Sequence, residues 1–130
     1  DISKSIIKHF FSEKKINFIN KDMLELNLDA SYDFIVMGEV IEHVEKPQLL
    51  LNKITMLLSD DGRAFLSTCV NCPAIDHVYH FHTVDEIRSM FLSCGLSIVS
   101  EKVLPVENMP MSEIVEKKIT INYSAIVERI

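Results

Sequence analysis

Glycine is scarce in this 130-residue chain: Gly38, Gly62 and Gly95 are the only three. They are too far apart to form a glycine-rich loop, so the chain carries no such cradle for a bound phosphate or cofactor. Cysteine is equally sparse, and the odd count of three with no signal peptide in view argues against a disulfide scaffold and for a reducing, cytoplasmic setting. No apolar run approaches the roughly 18 residues that a membrane span needs. Positive charge is thin as well. Thirteen Lys and Arg stand against nineteen Asp and Glu, for a formal charge of −6, and the basic residues are scattered. Nucleic-acid binding, which needs clustered cations, is therefore disfavoured, whereas a neutral or cationic small ligand is not. What is present is a hydrophobic content of 48%, enough for a real core. At this length the residues 1–130 read as one domain, able to bury roughly two thirds of its unfolded surface.

The most informative stretch is Tyr32 to Val44, YDFIVMGEVIEHV. The apolar run Phe34 to Met37, framed by turn formers, predicts a strand buried on both faces, as in a parallel sheet covered by helices. Glu39, Glu42 and His43 follow at its carboxyl end, where open α/β sheets bind ligands. If the chain is helical from Val40, those three residues fall at i, i+3 and i+4 and share a face.

Ser3 is a plausible N-cap for a first helix with an apolar stripe of Ile6, Ile7, Phe10 and Phe11. Ile16 to Ile19 is a short β-prone run, and Leu24 to Asp29 reads as a loop or single turn. Pro47 suits the first turn of a helix carrying Leu50, Leu51, Ile54, Leu57 and Leu58 and ending at Asp60, Asp61 and Gly62. Arg63 to Thr68 reads as a strand. Val70 to His82 holds Cys69's neighbour Cys72 and three histidines without periodicity, and reads as a loop and candidate lid. Thr83 with Glu86 forms a capping box for a helix that stops at Gly95. Leu96 to Val103 and Ile119 to Val127 are the last strands, an antiparallel edge hairpin with a short helix around Ser112 to Lys117 between them. Alternating strands and helices place the chain in the α/β class.

Taken in order, these pieces resemble a class I S-adenosylmethionine-dependent methyltransferase. The stretch YDFIVMGEVIEHVEKPQLLL…LLSDDGRAFLST is similar to that family's fourth strand, following helix and fifth strand, and FHTVDEIRSMFLSCGLSIV to its later helix and sixth strand. NYSAIVERI then sits where the seventh, antiparallel strand would be. The resemblance implies a Rossmann-like fold with a mostly parallel sheet and an antiparallel last strand. It also implies that the family's first strand and glycine-rich loop are missing, so the chain is expected to be a truncated piece of a longer protein, one that binds cofactor poorly and is inactive by itself. Without that central strand the edge of Phe34 to Met37 is expected to be open and to aggregate or find a partner, including a second copy.

The same resemblance assigns candidate site residues. Asp1 and Ile2 would hold the cofactor ribose, Asp22 and Met23 the adenine, and the Glu39 region the rest of S-adenosylmethionine. His43 is the candidate catalytic base, and His80 and His82 are candidates for the pocket of a small-molecule acceptor, most simply an oxygen. Glu39, Glu42 and His43 also resemble the E-x-x-E-H ligand set of ubiquinone-type O-methyltransferases and of small-RNA 2′-O-methyltransferases, which would suit Mg or Mn. A metal-dependent RNA methyltransferase and a catalytically silent methyltransferase-like binding domain are the alternative functions. Cys69, Cys72, His77, His80 and His82 have zinc-like spacing, but a second ligand pair at standard spacing is missing.

Overall fold

The computed structural model describes Ser5, His9, residues 17–27 and residues 31–130. Asp1, Ile2 and most of the first helical stretch lie outside these residues. The described chain runs as β1 (Tyr32–Gly38), a 3-10 turn (Ile41–His43), α1 (Pro47–Leu57), β2 (Leu58–Val70), α2 (Val84–Ser93), β3 (Leu96–Pro105), α3 (Met111–Glu116) and β4 (Ile121–Arg129). Four strands form one sheet in the order β1-β2-β4-β3. β1 and β2 are parallel, and β4 is antiparallel to both of its neighbours. The sheet is a mixed, Rossmann-like α/β arrangement whose crossover helix α1 joins its two parallel strands.

One face of the sheet holds the core. Ala64, Leu66 and Val70 of β2 alternate with residues that point the other way, and they meet Tyr123, Ala125 and Val127 of β4. Leu50, Leu51 and Ile54 of α1 and Ile87, Met90 and Phe91 of α2 complete this cluster. The two helices are stitched together where the Thr55 hydroxyl donates to the Cys94 carbonyl at 2.8 Å.

β1 does not follow the pattern of a strand buried on both faces. Met37 is buried, but Phe34 is 55% and Val36 68% exposed. β1 is an edge strand with β2 on one side alone among the described strands, and its second face carries no described cover. The expected open apolar edge is thus present in these residues.

α1 and β2 also meet earlier than helical periodicity suggests. The helix stops at Leu57, and β2 already starts at Leu58, which pairs with Tyr32. The register then shifts, so that Phe34 pairs with Arg63. Gly62 sits in that irregularity, where a Cβ would lie 2.7 Å from the Tyr32 carbonyl oxygen. The run at 17–20 forms no strand, and a turn over residues 23–25 follows it. The α2 capping box, the stop at Gly95 with φ of 77°, and the short α3 match the sequence pattern. Among the described residues no helix is long and apolar enough to cross a membrane.

Candidate active site at the carboxyl ends of the parallel strands

Glu39 follows β1 directly and takes a left-handed backbone, φ of 52°, which a non-glycine residue adopts only when its surroundings hold it there. Two hydrogen bonds to one residue of β2 do so. The Glu39 amide donates to the Ser67 carbonyl at 3.0 Å, and the Ser67 hydroxyl donates to Glu39 Oε1 at 2.7 Å. The exposed carboxylate is thereby fixed at the point where the two parallel strands end.

The chain is not helical from Val40. A single 3-10 turn over Ile41–His43 replaces the expected helix, because the left-handed Glu39 redirects the backbone before an α-helical turn can form. The three polar residues consequently separate. Glu42 turns inward and is 1% exposed; Oε2 accepts the Thr68 hydroxyl at 2.8 Å, and Oε1 has no hydrogen-bond partner. His43 is half-buried, with Nε2 3.8 Å from Glu42 Oε1. Its Nδ1 lies 2.9 Å from the Asp76 carbonyl, and since a carbonyl only accepts, Nδ1 carries the proton. In the neutral ring Nε2 then keeps the lone pair.

These contacts pull the segment between β2 and α2 onto the site. The Val78 and Tyr79 amides both donate to the Glu42 carbonyl at 2.9 Å, and the Asn71 amide donates to the Phe81 carbonyl. A segment tied this way is a wall of the site rather than a free lid. It brings in His77, whose ring meets that of His43 edge-on with centroids 4.8 Å apart. Nδ1 of His77 donates to the Cys72 carbonyl at 2.8 Å and stands 4.0 Å from Cys69 Sγ. Burial, helped by the Cys72 thiol and then by the charges of Glu42 and Glu39, pushes the Cys69 thiol up to about 12.

Two cavities open beside this wall. The smaller, about 300 Å³, is lined by Cys69, Cys72, His77, Tyr79, His80 and Phe81 among others. The larger, about 640 Å³, is lined by apolar side chains of β2, α2, β3, α3 and β4, including Val70, Val84, Val103, Met111 and Val115. His82, Asn71 and Lys118 line both cavities. His80 therefore borders one and His82 both, whereas His43 borders neither.

Asp22 is exposed, and its Oδ1 accepts the Leu24 amide at 2.8 Å; Met23 is half-buried against the core. Asp1 and Ile2 lie outside the described residues. Donor atoms of Glu39, Glu42 and Cys69 come within 4.8 Å of one another, as do those of Glu42, His43 and His77. Glu39 and His43 share neither set. The E-x-x-E-H residues thus do not gather as one ligand set for a magnesium or manganese ion. Sequence reasoning missed Ser67 and Thr68, which hold the two carboxylates. Their place at the carboxyl end of the next parallel strand was the available signal.

Comparison with known proteins agrees with this architecture. A family model described as a methyltransferase domain matches residues 1–101. The ubiquinone biosynthesis O-methyltransferase of Rickettsia conorii is 37% identical over 54 residues, which cover 42% of this chain and 19% of that protein. Its counterpart in Rickettsia typhi is 35% identical over 57 residues, 44% of this chain and 23% of that protein. The matched segments thus span only about a fifth of the curated relatives' length. Among solved structures, the cyclase SpnF superposes with a TM-score of 0.77 at 11% identity, covering 98% of this chain and 61% of that one. The N-methyltransferase NodS from Bradyrhizobium japonicum, in complex with S-adenosylhomocysteine, gives 0.72 at 14% identity with the same coverage. At such identities the likeness concerns the fold, and a cyclase and a methyltransferase on one fold show why function must be argued from the site.

Proposed function

The chain belongs to the methyltransferase domain family, and from that membership we propose that it transfers the methyl group of S-adenosylmethionine to an oxygen of a small-molecule acceptor. The observation that carries the reading is the pair of carboxylates, Glu39 and Glu42, held by Ser67 and Thr68 at the ends of two adjacent parallel strands. Similarity to ubiquinone biosynthesis O-methyltransferases supports oxygen as the accepting atom. The free thiols of Cys69, Cys72 and Cys94 suit a reducing, cytoplasmic setting.

Two of the described carboxylates support the cofactor reading. Glu39 presents an anchored, exposed carboxylate, which suits the cationic donor. Asp22 presents a second exposed carboxylate beside the half-buried Met23, which suits an amine on a flat ring. Asp1 and Ile2 would complete the binding set at the ribose. When bound, S-adenosylmethionine supplies an electrophilic methyl group for in-line displacement. The chain's own residues then orient the acceptor and take its proton. His43 is the base, because the Asp76 carbonyl holds its Nδ1 proton and leaves Nε2 free to accept. The acceptor would present its reacting oxygen at His43, and its remainder would extend past His77 toward the cavities that His80 and His82 line.

Calorimetric titration with S-adenosylmethionine, paired with an assay for transfer of a labelled methyl group, tests this reading. In the complete protein, saturable binding that weakens in Glu39→Ala is expected, together with a His43→Ala variant that loses turnover more than cofactor affinity. A protein that binds no cofactor would instead be a silent methyltransferase-like binding domain. Equal losses of turnover and affinity in His43→Ala would remove the base assignment.

A further inference from the structure

Methyl transfer makes no use of Cys69, Cys72 and His77, yet their sulfur and nitrogen atoms lie within 4.8 Å of one another at the end of β2. Around a tetrahedral ion with bonds of about 2.0–2.3 Å, neighbouring donor atoms stand roughly 3.3–3.8 Å apart. His77 Nδ1 donates its hydrogen bond to the Cys72 carbonyl, so Nε2 is the nitrogen left to ligate, and side-chain rotation would bring it and the two sulfurs to that spacing.

A second, independent observation comes from Glu42. This carboxylate is almost completely buried, and its Oε1 has no hydrogen-bond partner. Its nearest described neighbour of opposite charge is His43 Nε2 at 3.8 Å, beyond hydrogen-bond distance, so the oxygen has room for a closer partner, and a cation is the partner its charge favours. A Glu42 carboxylate oxygen lies within 4.8 Å of the Cys69 sulfur in one set of donor atoms and of a His77 nitrogen in another. The orphan and the thiol–imidazole cluster therefore adjoin.

We propose that Cys69, Cys72 and His77 bind a zinc-class divalent cation, with a water as the fourth donor and the Glu42 carboxylate alongside. Two thiolates and an imidazole select zinc over magnesium or manganese. On binding, each thiol gives its proton to solvent and its sulfur becomes a ligand, so the two protons released balance the two thiolates formed. The scaffold is already in place. His77 is oriented by the Cys72 carbonyl, as metal-binding histidines commonly are, and residues 78 and 79 hang from the Glu42 backbone. The roughly 300 Å³ cavity bordered by all three residues is a path of entry from solvent. In the bound state the ion would pin the wall segment to β2. This site goes beyond the methyl-transfer reading and stands without it.

Cobalt(II) is the direct probe. Reduced, chelator-treated protein titrated with Co²⁺ should show a thiolate-to-cobalt charge-transfer band and tetrahedral visible bands that saturate at one equivalent, and Zn²⁺ should bleach them. Cys72→Ser should lose the charge-transfer intensity in part and Cys69→Ser/Cys72→Ser entirely, while Cys94→Ser keeps it. A spectrum without the thiolate band, or one unchanged in Cys72→Ser, would overturn the assignment. So would thermal stabilisation by Mg²⁺ or Mn²⁺ with none by Zn²⁺. Should the serine variants fold poorly, alkylation of the unaltered protein decides the matter. Zn²⁺ should protect Cys72 from iodoacetamide where Mg²⁺ does not, and equal labelling with and without Zn²⁺ refutes the site.

Discussion

The Thr68 hydroxyl donates to Glu42 Oε2 at 2.8 Å, across 26 residues of sequence, and among the described residues it is the sole hydrogen bond to that buried carboxylate. Thr68→Val keeps the shape of the side chain and removes the donor, so it strands a second carboxylate oxygen. A loss of about 1–3 kcal/mol in unfolding free energy is expected from urea titration. Adding Glu42→Leu should restore much of it, because an apolar pair removes the desolvation cost of the unpaired carboxylate. A double variant as unstable as the sum of its two single variants would contradict this account.

On the far side of the core, Tyr123 donates to Glu101 Oε2 at 2.7 Å, and Arg88 holds both oxygens of the same carboxylate. The Arg88 hydrogen bonds hold Glu101 below the usual carboxylate range, against an opposing effect of burial. Burial first, and then the Glu101 carboxylate, push the Tyr123 hydroxyl well above its ordinary value. The signs follow from linkage. Glu101 contributes stability that is present above its ordinary pKa of about 4.3 and is lost as pH falls through its lower folded value. Tyr123 contributes stability that is present below about pH 10 and is lost as pH rises through its higher folded value. Urea midpoints measured from acid to alkaline pH should fall at both ends, and Tyr123→Phe should flatten the alkaline fall while costing about 1 kcal/mol at neutral pH.

Gly62 is required by a close approach. A Cβ there would lie 2.7 Å from the Tyr32 carbonyl oxygen and 3.0 Å from the Ser59 amide nitrogen, both backbone atoms. Gly62→Ala is therefore expected to cost about 1–3 kcal/mol by forcing β1 and β2 apart. A thermal midpoint equal to that of the unaltered protein would show that the strands yield freely.

Thr83 and Glu86 cap α2 reciprocally. The Glu86 amide donates to Thr83 Oγ1 at 3.1 Å, and the Thr83 amide donates to Glu86 Oε2 at 3.4 Å. Thr83→Ala should lower stability by about 1 kcal/mol, with Thr83→Ser restoring most of it. Denaturant midpoints of the three proteins check this, and an uncapped helix of unchanged stability would contradict it.

Features that depend on neighbours in sequence were legible. Thr83 and Glu86 are three residues apart, Pro47 begins the helix whose stripe it precedes, and Gly95 ends the next. The strand order's antiparallel finish followed from the want of a long crossover helix between β3 and β4, whose connection holds only the short α3. Where α1 yields to β2 was not legible, because Leu58 is claimed by pairing with Tyr32, 26 residues away, over an apolar helical stripe that would have kept it. The face shared by Glu39, Glu42 and His43 failed for a similar reason. Two hydrogen bonds, one donated each way between Glu39 and Ser67, hold a left-handed backbone that no local propensity favours.

The sequence by itself determined the family, the α/β class and the region of the site, since these rest on the order of periodic segments and on polar residues just past a strand. Only the tertiary structure decided how the site is divided. It sends Glu39 to Ser67, buries Glu42 under Thr68, and sets His43 against His77 and the Asp76 carbonyl. The physical reason is that hydrogen bonds and burial act through space. Side chains 26 to 34 positions apart compete for the same few donors, and the backbone turns to wherever the buried ones are satisfied.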